Sequence, residues 1–379
     1  MKDRCILFVA NTAWSMYNFR LGVMKTLLAR GYRVLVAAPY DAYVDKMIDA
    51  EIEVVCLKKL RASSANPFGE WAFYRELLAV YKQYRPDLIF HYTIKPNIYG
   101  VLAAKKLGIA TVAVTTGLGY VFTHRNLVSL AGRWLYRYAL PAADAVWFLN
   151  REDMASFHQH IGLPSHKTEL LPGEGINTSI FKRSLPIDFT DTVFIFTGRM
   201  LYEKGVELLV SSVRQLKKKG YHFSCLLLGF LDMENPTAIP REKMMQWEDE
   251  GLVTYLGSTD NVLPYLEKAN CFVFPSYYSE GMPRSLLEAA SMEMPIITTN
   301  NVGCRDVVIQ GQTGFVAEPK SVTSLTEKME AFLNLAADEK LKMGKLGRER
   351  VHNEFGEEQV ISMYLHNITS ILGPKDVEV

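Results

Sequence analysis

The sequence predicts an α/β protein with two doubly wound, parallel-sheet (Rossmann-like) domains that face a cleft. The chain has 379 residues, which is too many for one ordinary core and suits two domains. Short β-rich runs alternate with amphipathic stretches, and this series restarts after the middle of the chain. Many runs are apolar throughout, as expected of parallel strands covered by helices on both faces.

The first domain is assigned to residues 1–175. Its predicted helices include the amphipathic stretches at 18–30, 70–84 and 97–107. Its predicted strands are CILFVANT (5–12), RVLVAAP (33–39), EVVCL (53–57), DLIFHYT (87–93), TVAVTT (111–116) and AVWFLN (145–150).

The second domain is assigned to residues 176–355, after a joint at LPGEGINTSIF (171–181) where glycines and an Asn-Thr-Ser cluster interrupt the pattern. The stretch 356–372 is predicted to be a further helix that joins the first domain. Ligands of open parallel sheets bind beyond the carboxyl ends of the strands, so the cleft is the expected site. The predicted strands of this domain are TVFIFTG (192–198), FSCLLLG (223–229), LVTYLG (252–257), CFVFPS (271–276) and PIITT (295–299).

The composition is that of a globular protein: 49% of residues are hydrophobic, 22% are charged, and no run of about 18 apolar residues occurs. The N-terminal residues lack the features of a secretion signal. The five cysteines are odd in number and scattered. They are predicted to be buried free thiols of a cytoplasmic protein, and neither disulfides nor a zinc site are expected.

The charge is unevenly distributed. Residues 1–175 carry 21 Lys and Arg against 14 Asp and Glu, and the rest carry 21 against 27, so the net charges are +7 and −6. Either this is accidental or the first domain meets an anionic partner, such as a membrane surface or a phosphorylated acceptor. No nucleic acid partner is expected, because the basic residues form no run and the second half is acidic.

The stretch SEGMPRSLLE (279–288) contains the first candidate site residues. Pro283 suits the first position of a helix, and Gly281 allows close approach of the backbone to a ligand. A helix start favours an anion such as phosphate. Glu280 and Glu288 would accept hydrogen bonds from hydroxyls on either side of it, which is the layout of a sugar nucleotide. The alternative is a pair of surface carboxylates favoured by the helix dipole.

A second candidate segment follows the predicted strand TVFIFTG. Arg199 and Lys204 stand five residues apart at its carboxyl end. An arginine binds phosphate oxygens in a bidentate manner and a lysine as a point charge, so the two can hold a diphosphate. One turn that supplies cations and another that supplies carboxylates together indicate a nucleotide-sugar site.

These segments carry a family resemblance. GRMLYEKG (198–205) and PSYYSEGMPRSLLEAASMEMPIITTNNVGCRDVV (275–308) resemble glycosyltransferase family 4, retaining enzymes of the GT-B fold. LPGEGINTSIF and GQTGFVAEP (311–319) resemble its domain-joining segment and a later strand and loop. The first half resembles a subgroup of bacterial surface-polysaccharide and lipid-linked oligosaccharide enzymes, including N-acetylgalactosaminyltransferases acting on undecaprenyl-diphosphate-linked sugars. The stretches that carry this second resemblance are RASSANPF (61–68), HYTIKPNIYGVLAAKKLGI (91–109) and TTGLGYVFT (115–123).

The resemblance implies roles for individual residues. Glu280 would contact hydroxyls of the donor sugar and Glu288 those of the ribose. Arg199 and Lys204 would bind the donor phosphates. Further donor contacts are expected from Gly198, Gly281, Met282 and Ser285.

The sequence departs from the family at two places. NTAWSMYNF (11–19) lacks the glycine pair of many members, and Ser15 or its neighbours are expected to fill that role. Thr116 stands where many members have a catalytic-site histidine, so either no imidazole is needed or another group substitutes. His91 is a candidate, although a single histidine at a strand end is more often structural. Lys95 is a further candidate for acceptor contact.

No metal ion or other cofactor is expected beside the nucleotide-sugar co-substrate. No Asp-x-Asp follows a predicted strand, and no His or Cys cluster has ligand spacing. Arg199, Lys204 and helix-terminal amides can stabilise a leaving diphosphate unaided.

HRNLVSLAGRWLYRYALP (124–141) is predicted to be a helix with interleaved basic and aromatic residues. Arg125, Arg133, Trp134 and Arg137 are the candidates for contact with an anionic membrane surface. The alternative is an ordinary packed helix. The positive charge of the first half favours membrane contact.

The predicted function is a retaining, metal-independent transfer of a sugar, an N-acetylhexosamine by resemblance, from UDP to an undecaprenyl-diphosphate-linked glycan. The enzyme would act at the cytoplasmic face of the membrane in polysaccharide or oligosaccharide biosynthesis. Two alternatives remain: a GT-B sugar-nucleotide epimerase, which needs no acceptor, and a non-catalytic scaffold. The presence together of Arg199, Lys204, Glu280 and Glu288 argues against the scaffold.

Overall fold

The chain forms two compact units in a computed structural model that describes residues 4–61, 66–117, 121–122, 127–233, 235–278 and 280–374. Unit 1 comprises Met1–Glu174 together with Glu357–Val379, and unit 2 comprises Gly175–Gly356. Unit 2 therefore begins one residue before the predicted start at 176. The last helix belongs to unit 1.

Unit 1 is built on a sheet of seven parallel strands. These are β1 (Cys5–Val9), β2 (Arg33–Ala38), β3 (Glu53–Cys56), β4 (Leu88–Tyr92), β5 (Ala110–Thr115), β6 (Ala145–Phe148) and β7 (Thr168–Leu170). Their order in the sheet is β3-β2-β1-β4-β5-β6-β7. The strand order reverses between β1 and β4, which are direct neighbours. The carboxyl ends of these two strands form the switch point at which open α/β sheets bind ligands.

Unit 2 is built on a sheet of six parallel strands. These are β8 (Val193–Thr197), β9 (Ser224–Leu228), β10 (Thr254–Tyr255), β11 (Cys271–Phe274), β12 (Ile296–Thr299) and β13 (Gly314–Ala317). Their order is β10-β9-β8-β11-β12-β13. The same reversal recurs here, so β8 and β11 are neighbours at the switch point.

Helices connect the strands and cover both faces of each sheet. They are α1 (Ala13–Ala29), α2 (Tyr43–Asp49), α3 (Pro67–Tyr84), α4 (Val101–Leu107), α5 (Leu127–Ala139), α6 (Arg151–Ile161), α7 (Val206–Lys218), α8 (Arg241–Asp249), α9 (Leu263–Leu266), α10 (Arg284–Ser291), α11 (Val322–Leu333), α12 (Ala337–Phe355) and α13 (Glu357–Leu372). A π-helical turn, Pro96–Gly100, leads directly into α4. Within the described ranges, no helix combines the length and the apolar character needed to cross a membrane.

Alternate residues of each strand enter different helical layers. In β1, Ile6 and Phe8 belong to one core of unit 1, whereas Leu7 and Val9 belong to another. All four side chains are completely buried. This burial on both faces is the physical reason why the strand is apolar throughout.

Helix α13 completes the first of these two cores. Val360, Tyr364 and Ile368 are buried together with Phe8. The Tyr364 hydroxyl lies 2.6 Å from the hydroxyl of Tyr92, the last residue of β4. The end of the chain is therefore an integral part of unit 1.

Two arginines fix the segment that opens unit 2. Arg183 donates hydrogen bonds to the carbonyl oxygens of Glu267 and Met292, both at 2.9 Å. Arg348 donates to the carbonyl oxygen of Thr178 at 2.8 Å. The second half of the predicted joint, from Gly175 onward, is thus packed onto unit 2, whereas its first residues, up to Glu174, belong to unit 1.

Two elements differ from the sequence prediction. The edge strand β7 was not predicted, because it has three residues and all are only half-buried. Helix α1 begins at Ala13, earlier than the predicted start at 18, because Thr12 caps it. The Ser15 amide donates to Thr12 Oγ1 at 3.2 Å, which satisfies one of the free N–H groups of the first turn.

Candidate functional site

Two strand-to-helix turns of unit 2 bring a lysine and a glutamate into contact. Lys204 lies in a short 3₁₀ turn after β8, and Glu280 lies in the loop after β11. The Lys204 Nζ donates to Glu280 Oε1, and the two side chains are 13% and 11% exposed. Ser276 Oγ donates to the same oxygen at 2.9 Å. The contact follows from the topology, because β8 and β11 are adjacent strands.

The backbones of the two turns are joined as well. The amides of Tyr277 and Tyr278 donate to the carbonyl oxygen of Glu203 at 2.9 and 3.2 Å. Gly205 has a φ of +81°, and a Cβ at this position would lie 2.1 Å from the carbonyl oxygen of Pro275. Only glycine permits this approach. The glycine that follows Lys204 therefore holds the lysine-bearing turn against the glutamate-bearing loop.

Aromatic rings surround the Lys204 ammonium group. It lies 5.6 Å from the ring centroid of Phe274 and 5.5 Å from that of Tyr278. Aromatic faces attract cations at such distances. Burial, together with the neighbouring Glu280 carboxylate, raises the pKa of Tyr278, and the Arg199 charge opposes this shift. The Tyr278 hydroxyl is therefore protonated at neutral pH.

Arg199 lies at the same end of the sheet but is much more exposed. Its side chain is 53% exposed, and Nη1 lies 3.6 Å from Asp232 Oδ2. Arg199 follows Gly198, whose carbonyl oxygen would lie 1.8 Å from a Cβ on Gly229. The structure thus places Lys204 inside the turn region and Arg199 at its solvent-facing edge.

Glu288 lies inside α10 and is held by a residue one turn earlier. Arg284 Nε donates to Glu288 Oε1 at 3.1 Å, and the side chains are 20% and 15% exposed. Burial raises the pKa of Glu288 above its ordinary value, and the Arg284 charge opposes this shift. Pro283 is the N-cap residue of α10, one position before the first helical residue at which it was predicted.

The other predicted donor contacts lie around the start of α10. Met282 is buried, and Ser285 is half-buried in the first turn. The carbonyl oxygen of Gly281 would lie 2.6 Å from a Cβ on Gly303, which has a φ of +76°. The loop after β12 therefore packs directly on the Gly281 backbone.

Two residues of this region were missed by the sequence reasoning. Ser276 orients Glu280, and Arg284 holds Glu288. Spacing offered a signal for Arg284, because side chains four apart on a helix are neighbours. For Ser276 the available signal was its place at the end of the predicted strand CFVFPS.

In unit 1, three candidates lie at the carboxyl edge of the sheet. Ser15 Oγ donates to the Thr12 carbonyl oxygen at 3.0 Å, within the cap of α1. Thr116 is half-buried directly after β5. Lys95, shortly after β4, forms an ion pair with Glu70 of α3 at 2.6 Å.

The fourth candidate, His91, is buried in β4. Its Nε2 lies 2.8 Å from the Tyr81 hydroxyl, and its Nδ1 lies 2.7 Å from Thr111 Oγ1. Burial lowers the pKa of His91 to about 3, so the imidazole is neutral at physiological pH. A Cβ on Gly100 would lie 2.2 Å from the ring. This is the environment of a structural histidine, the alternative noted above.

Helix α5 exposes only part of the predicted membrane-facing set. Trp134 is 65% exposed and stacks on Tyr138, with ring centroids 6.0 Å apart. Arg137 is exposed. Arg133 differs from the prediction, because it is half-buried and its Nε donates to the carbonyl oxygen of Val121 at 3.0 Å. Arg125 lies outside the described residues.

The unit 2 groups suit a ligand that combines phosphate with hydroxyl-bearing rings. Lys204 and Arg199 offer positive charge, and Glu280 and Glu288 offer hydrogen-bond acceptors. In the part of the chain that the structure describes, no group of three or more His, Cys, Asp or Glu side chains is placed to hold a metal ion.

Comparison with known proteins gives matches along nearly the whole chain. Residues 177–350 match the family model for glycosyl transferases group 1, and residues 5–150 match the model for glycosyl transferase 4-like proteins. Over 354 residues the chain is 30% identical to the N,N'-diacetylbacillosaminyl-diphospho-undecaprenol alpha-1,3-N-acetylgalactosaminyltransferase of Campylobacter jejuni, covering 89% of this chain and 90% of that protein.

Two further similarities extend this finding. The chain is 23% identical over 296 residues to the UDP-Gal:alpha-D-GlcNAc-diphosphoundecaprenol alpha-1,3-galactosyltransferase of Escherichia coli, covering 74% of this chain and 75% of that one. The crystal structure of Anabaena HepE in complex with UDP superposes with a TM-score of 0.79 at 16% identity, covering 97% of this chain and 100% of that one. At this identity the structural similarity shows a shared fold.

Proposed function

Because the chain belongs to the group 1, family 4-like glycosyltransferases and has their GT-B fold, we propose that it transfers an N-acetylhexosamine from UDP to an undecaprenyl-diphosphate-linked glycan. The transfer would retain the configuration of the sugar. It would take place at the inner face of the membrane during polysaccharide or oligosaccharide assembly.

The observation that carries the proposal is the contact between Lys204 and Glu280, with Ser276 bonded to the same carboxylate. A donor diphosphate would compete with Glu280 for the Lys204 ammonium group. Glu280 would then be available to accept hydrogen bonds from sugar hydroxyls, while Ser276 keeps its orientation. The same three side chains thus serve the phosphate and the sugar of one donor.

The chemical step follows from these positions. When the bond between the anomeric carbon and the β-phosphate oxygen breaks, positive charge develops on the carbon and negative charge on the phosphate. Lys204 and Arg199 stabilise the phosphate charge. The acceptor hydroxyl attacks the carbon from the face that the phosphate leaves, and its proton passes to that phosphate. Glu288 holds the ribose away from the reacting bond.

The names of the relatives support the substrate classes. The Campylobacter relative is an N-acetylgalactosaminyltransferase that acts on a diphospho-undecaprenol saccharide, and the Escherichia relative uses UDP-Gal with a diphosphoundecaprenol acceptor. HepE was solved with UDP. A UDP-sugar and a lipid-diphosphate glycan are therefore the substrates we propose.

The test is a screen of UDP-, GDP- and dTDP-sugars with undecaprenyl-diphosphate glycan acceptors. Release of UDP should require both a UDP-N-acetylhexosamine and the acceptor. It should persist in EDTA, because the donor phosphates meet protein cations and helix amides. A loss of activity in EDTA that Mg²⁺ or Mn²⁺ restores would contradict the metal-independent step. Formation of an epimer from a UDP-sugar alone would identify the protein as an epimerase.

Membrane contact is the second part of the proposal. Leu130, Trp134 and Tyr138 of α5 are each more than 60% exposed, and Arg137 lies beside them. An exposed apolar helix face bordered by a cation suits an anionic lipid surface. Arg133 is half-buried and bonded to the Val121 carbonyl, so it is excluded from the membrane-facing set that we propose. Arg137 is kept because it is exposed, although its Nε also donates to the carbonyl oxygen of Ile161, at 3.4 Å.

Exchange of Leu130, Trp134 and Arg137 for serine should reduce co-sedimentation with anionic liposomes while leaving Tm nearly unchanged. Binding of the wild-type chain should weaken as salt screens the basic surface. The matched control exchanges Ile48 and Arg33, an exposed apolar residue and an exposed cation elsewhere in unit 1. Equal losses in the variant and the control, or equal binding to neutral liposomes, would argue against α5 as the contact.

A further inference from the structure

A second lysine–glutamate pair lies at the ligand-binding edge of unit 1. Lys95 Nζ lies 2.6 Å from Glu70 Oε1, and the side chains are 14% and 13% exposed. Lys95 also donates to the carbonyl oxygen of Arg61 at 2.5 Å. The pair joins the turn after β4 to the first turn of α3.

The pair matches the Lys204–Glu280 pair of unit 2 in residue types, exposure and place. Both lysines follow a strand at the point where the strand order of their sheet reverses. Both pairs are about nine-tenths buried on each side. Other Lys–Glu pairs of the described chain are more open: Lys219 and Glu330 are 51% and 26% exposed, for example.

Stability alone does not account for such burial. Removing two charges from water costs about as much as their attraction returns, so a buried ion pair is weak support for a stabilising role. One carboxylate oxygen of Glu70 is also poorly supplied with hydrogen bonds. Its Oε2 is buried and, among the residues that the structure describes, has no hydrogen bond of ordinary length, although the Tyr99 hydroxyl interacts with the carboxylate. A ligand hydroxyl would supply the missing donor.

The backbone beside Lys95 is also unusual. Thr93 has a φ of +68°, a left-handed conformation that is rare for a β-branched residue. The π-helical turn Pro96–Gly100 begins at the next residue after Lys95. Strained residues and π-turns concentrate at functional sites. Burial raises the pKa of Tyr99 in this turn to about 12, and the Glu70 carboxylate adds to the shift, so its hydroxyl remains a donor.

We infer that Lys95 and Glu70 form a saccharide-diphosphate subsite in unit 1. Lys95 holds a diphosphate oxygen of the acceptor, and Glu70 accepts a hydrogen bond from a hydroxyl of the sugar attached to it. The inference rests on the proposed function, because a lipid-diphosphate glycan presents both groups together. Tyr99 and the π-turn position the pair.

The test measures binding by calorimetry with two soluble probes. One is N-acetylglucosamine linked through diphosphate to farnesol, and the other is farnesyl N-acetylglucosaminide, which lacks the diphosphate. Lys95→Met should weaken binding of the diphosphate probe at least tenfold and leave the other probe unchanged. Glu70→Gln should weaken both. Neither variant should change the affinity for UDP.

A charge-swapped variant tests whether the Lys95–Glu70 pair binds the ligand or only anchors α3. Lys95→Glu combined with Glu70→Lys keeps an ion pair, so Tm should stay near the wild-type value while binding of the diphosphate probe is lost. Arg33→Met, in an exposed pair of the same unit, is the matched control. Wild-type affinity in the swapped variant would show that the pair only anchors α3 and would overturn the inference.

Failure of the inference and failure of the proposed function give different results. If the wild-type chain transfers sugar to a lipid-diphosphate acceptor and Lys95→Met does so with an unchanged acceptor KM, only the subsite is wrong. If the wild-type chain binds UDP but neither binds the diphosphate probe nor transfers sugar to it, both are wrong.

Discussion

Lys204→Ala is expected to lower kcat by about a hundredfold or more, the cost of losing one preorganised charge-stabilising donor. The structure gives a reason for so large an effect. The ammonium group is largely buried between Glu280 and the rings of Phe274 and Tyr278, so water cannot fully replace it. Arg199 lies at the solvent-facing edge, beside Asp232, and does not occupy that position. The measurement is UDP release at saturating donor and acceptor.

A matched control separates catalysis from stability. Lys219→Ala removes a lysine that pairs with Glu330 at 2.6 Å on the surface of the same unit, and it should leave kcat unchanged. Lys204→Ala leaves Glu280 without its cation, so a modest fall in Tm is expected as well. If kcat stays within about threefold of the wild type, a difference of less than 1 kcal/mol, Lys204 is not part of the charge-stabilising site.

Glu280→Gln and Glu288→Gln are expected to impair the enzyme in different ways, the first in kcat and the second in UDP affinity. In the proposed site Glu280 holds the sugar next to the bond that breaks, so its exchange should lower kcat strongly with a smaller change in donor affinity. Glu288 is proposed to hold the ribose, so its exchange should weaken binding of UDP and UDP-sugar alike, by about 1–3 kcal/mol for the loss of a charged hydrogen bond. Titration calorimetry with UDP, next to steady-state kinetics, measures both effects.

The pH dependence of UDP binding gives an independent check on Glu288. Burial raises its pKa, so the carboxylate takes up a proton at a higher pH than an ordinary glutamate. Binding that needs the ionised form should therefore weaken as the pH falls, beginning above the ordinary glutamate range, and Glu288→Gln should remove this dependence. Glu330→Gln is the matched control on the surface. Unchanged UDP binding by the Glu288 variant, or loss of UDP binding in the Glu280 variant alone, would show that the two roles are assigned wrongly.

The sequence was sufficient to locate candidate residues that lie directly after a strand. Lys204 and Glu280 could be predicted because glycines, a proline and apolar runs mark the turns in which they lie. Their direct contact could not, because it depends on β8 and β11 being neighbours although 76 residues separate the two side chains. The same limit applies to Glu70, which meets Lys95 only once α3 packs beside the turn after β4.

The burial of individual polar side chains was the other property that the sequence pattern did not predict. Arg133 and Arg137 are four residues apart on one helix and both donate to backbone carbonyls, yet Arg133 is half-buried and Arg137 is exposed. His91 lies at a strand end, where the sequence favours a structural histidine but leaves a functional one open. Its two hydrogen-bond partners lie in the preceding helix α3 and the following strand β5, and they meet the imidazole only once these elements pack together. Tertiary packing therefore decides which polar side chains reach a ligand.

The place of α13 has a consequence for the order in which the chain matures during synthesis. Unit 2 is encoded by one continuous stretch, Gly175–Gly356, and all of its core is available once that stretch has left the ribosome. Unit 1 begins first but lacks Val360, Tyr364 and Ile368 until α13, which follows all of unit 2, has been synthesised. Domains usually fold in the order in which they emerge. Here the amino-terminal unit is the last to be completed, so a nascent chain stalled before α13 would carry a finished carboxyl-terminal unit and an open amino-terminal core that needs protection from aggregation.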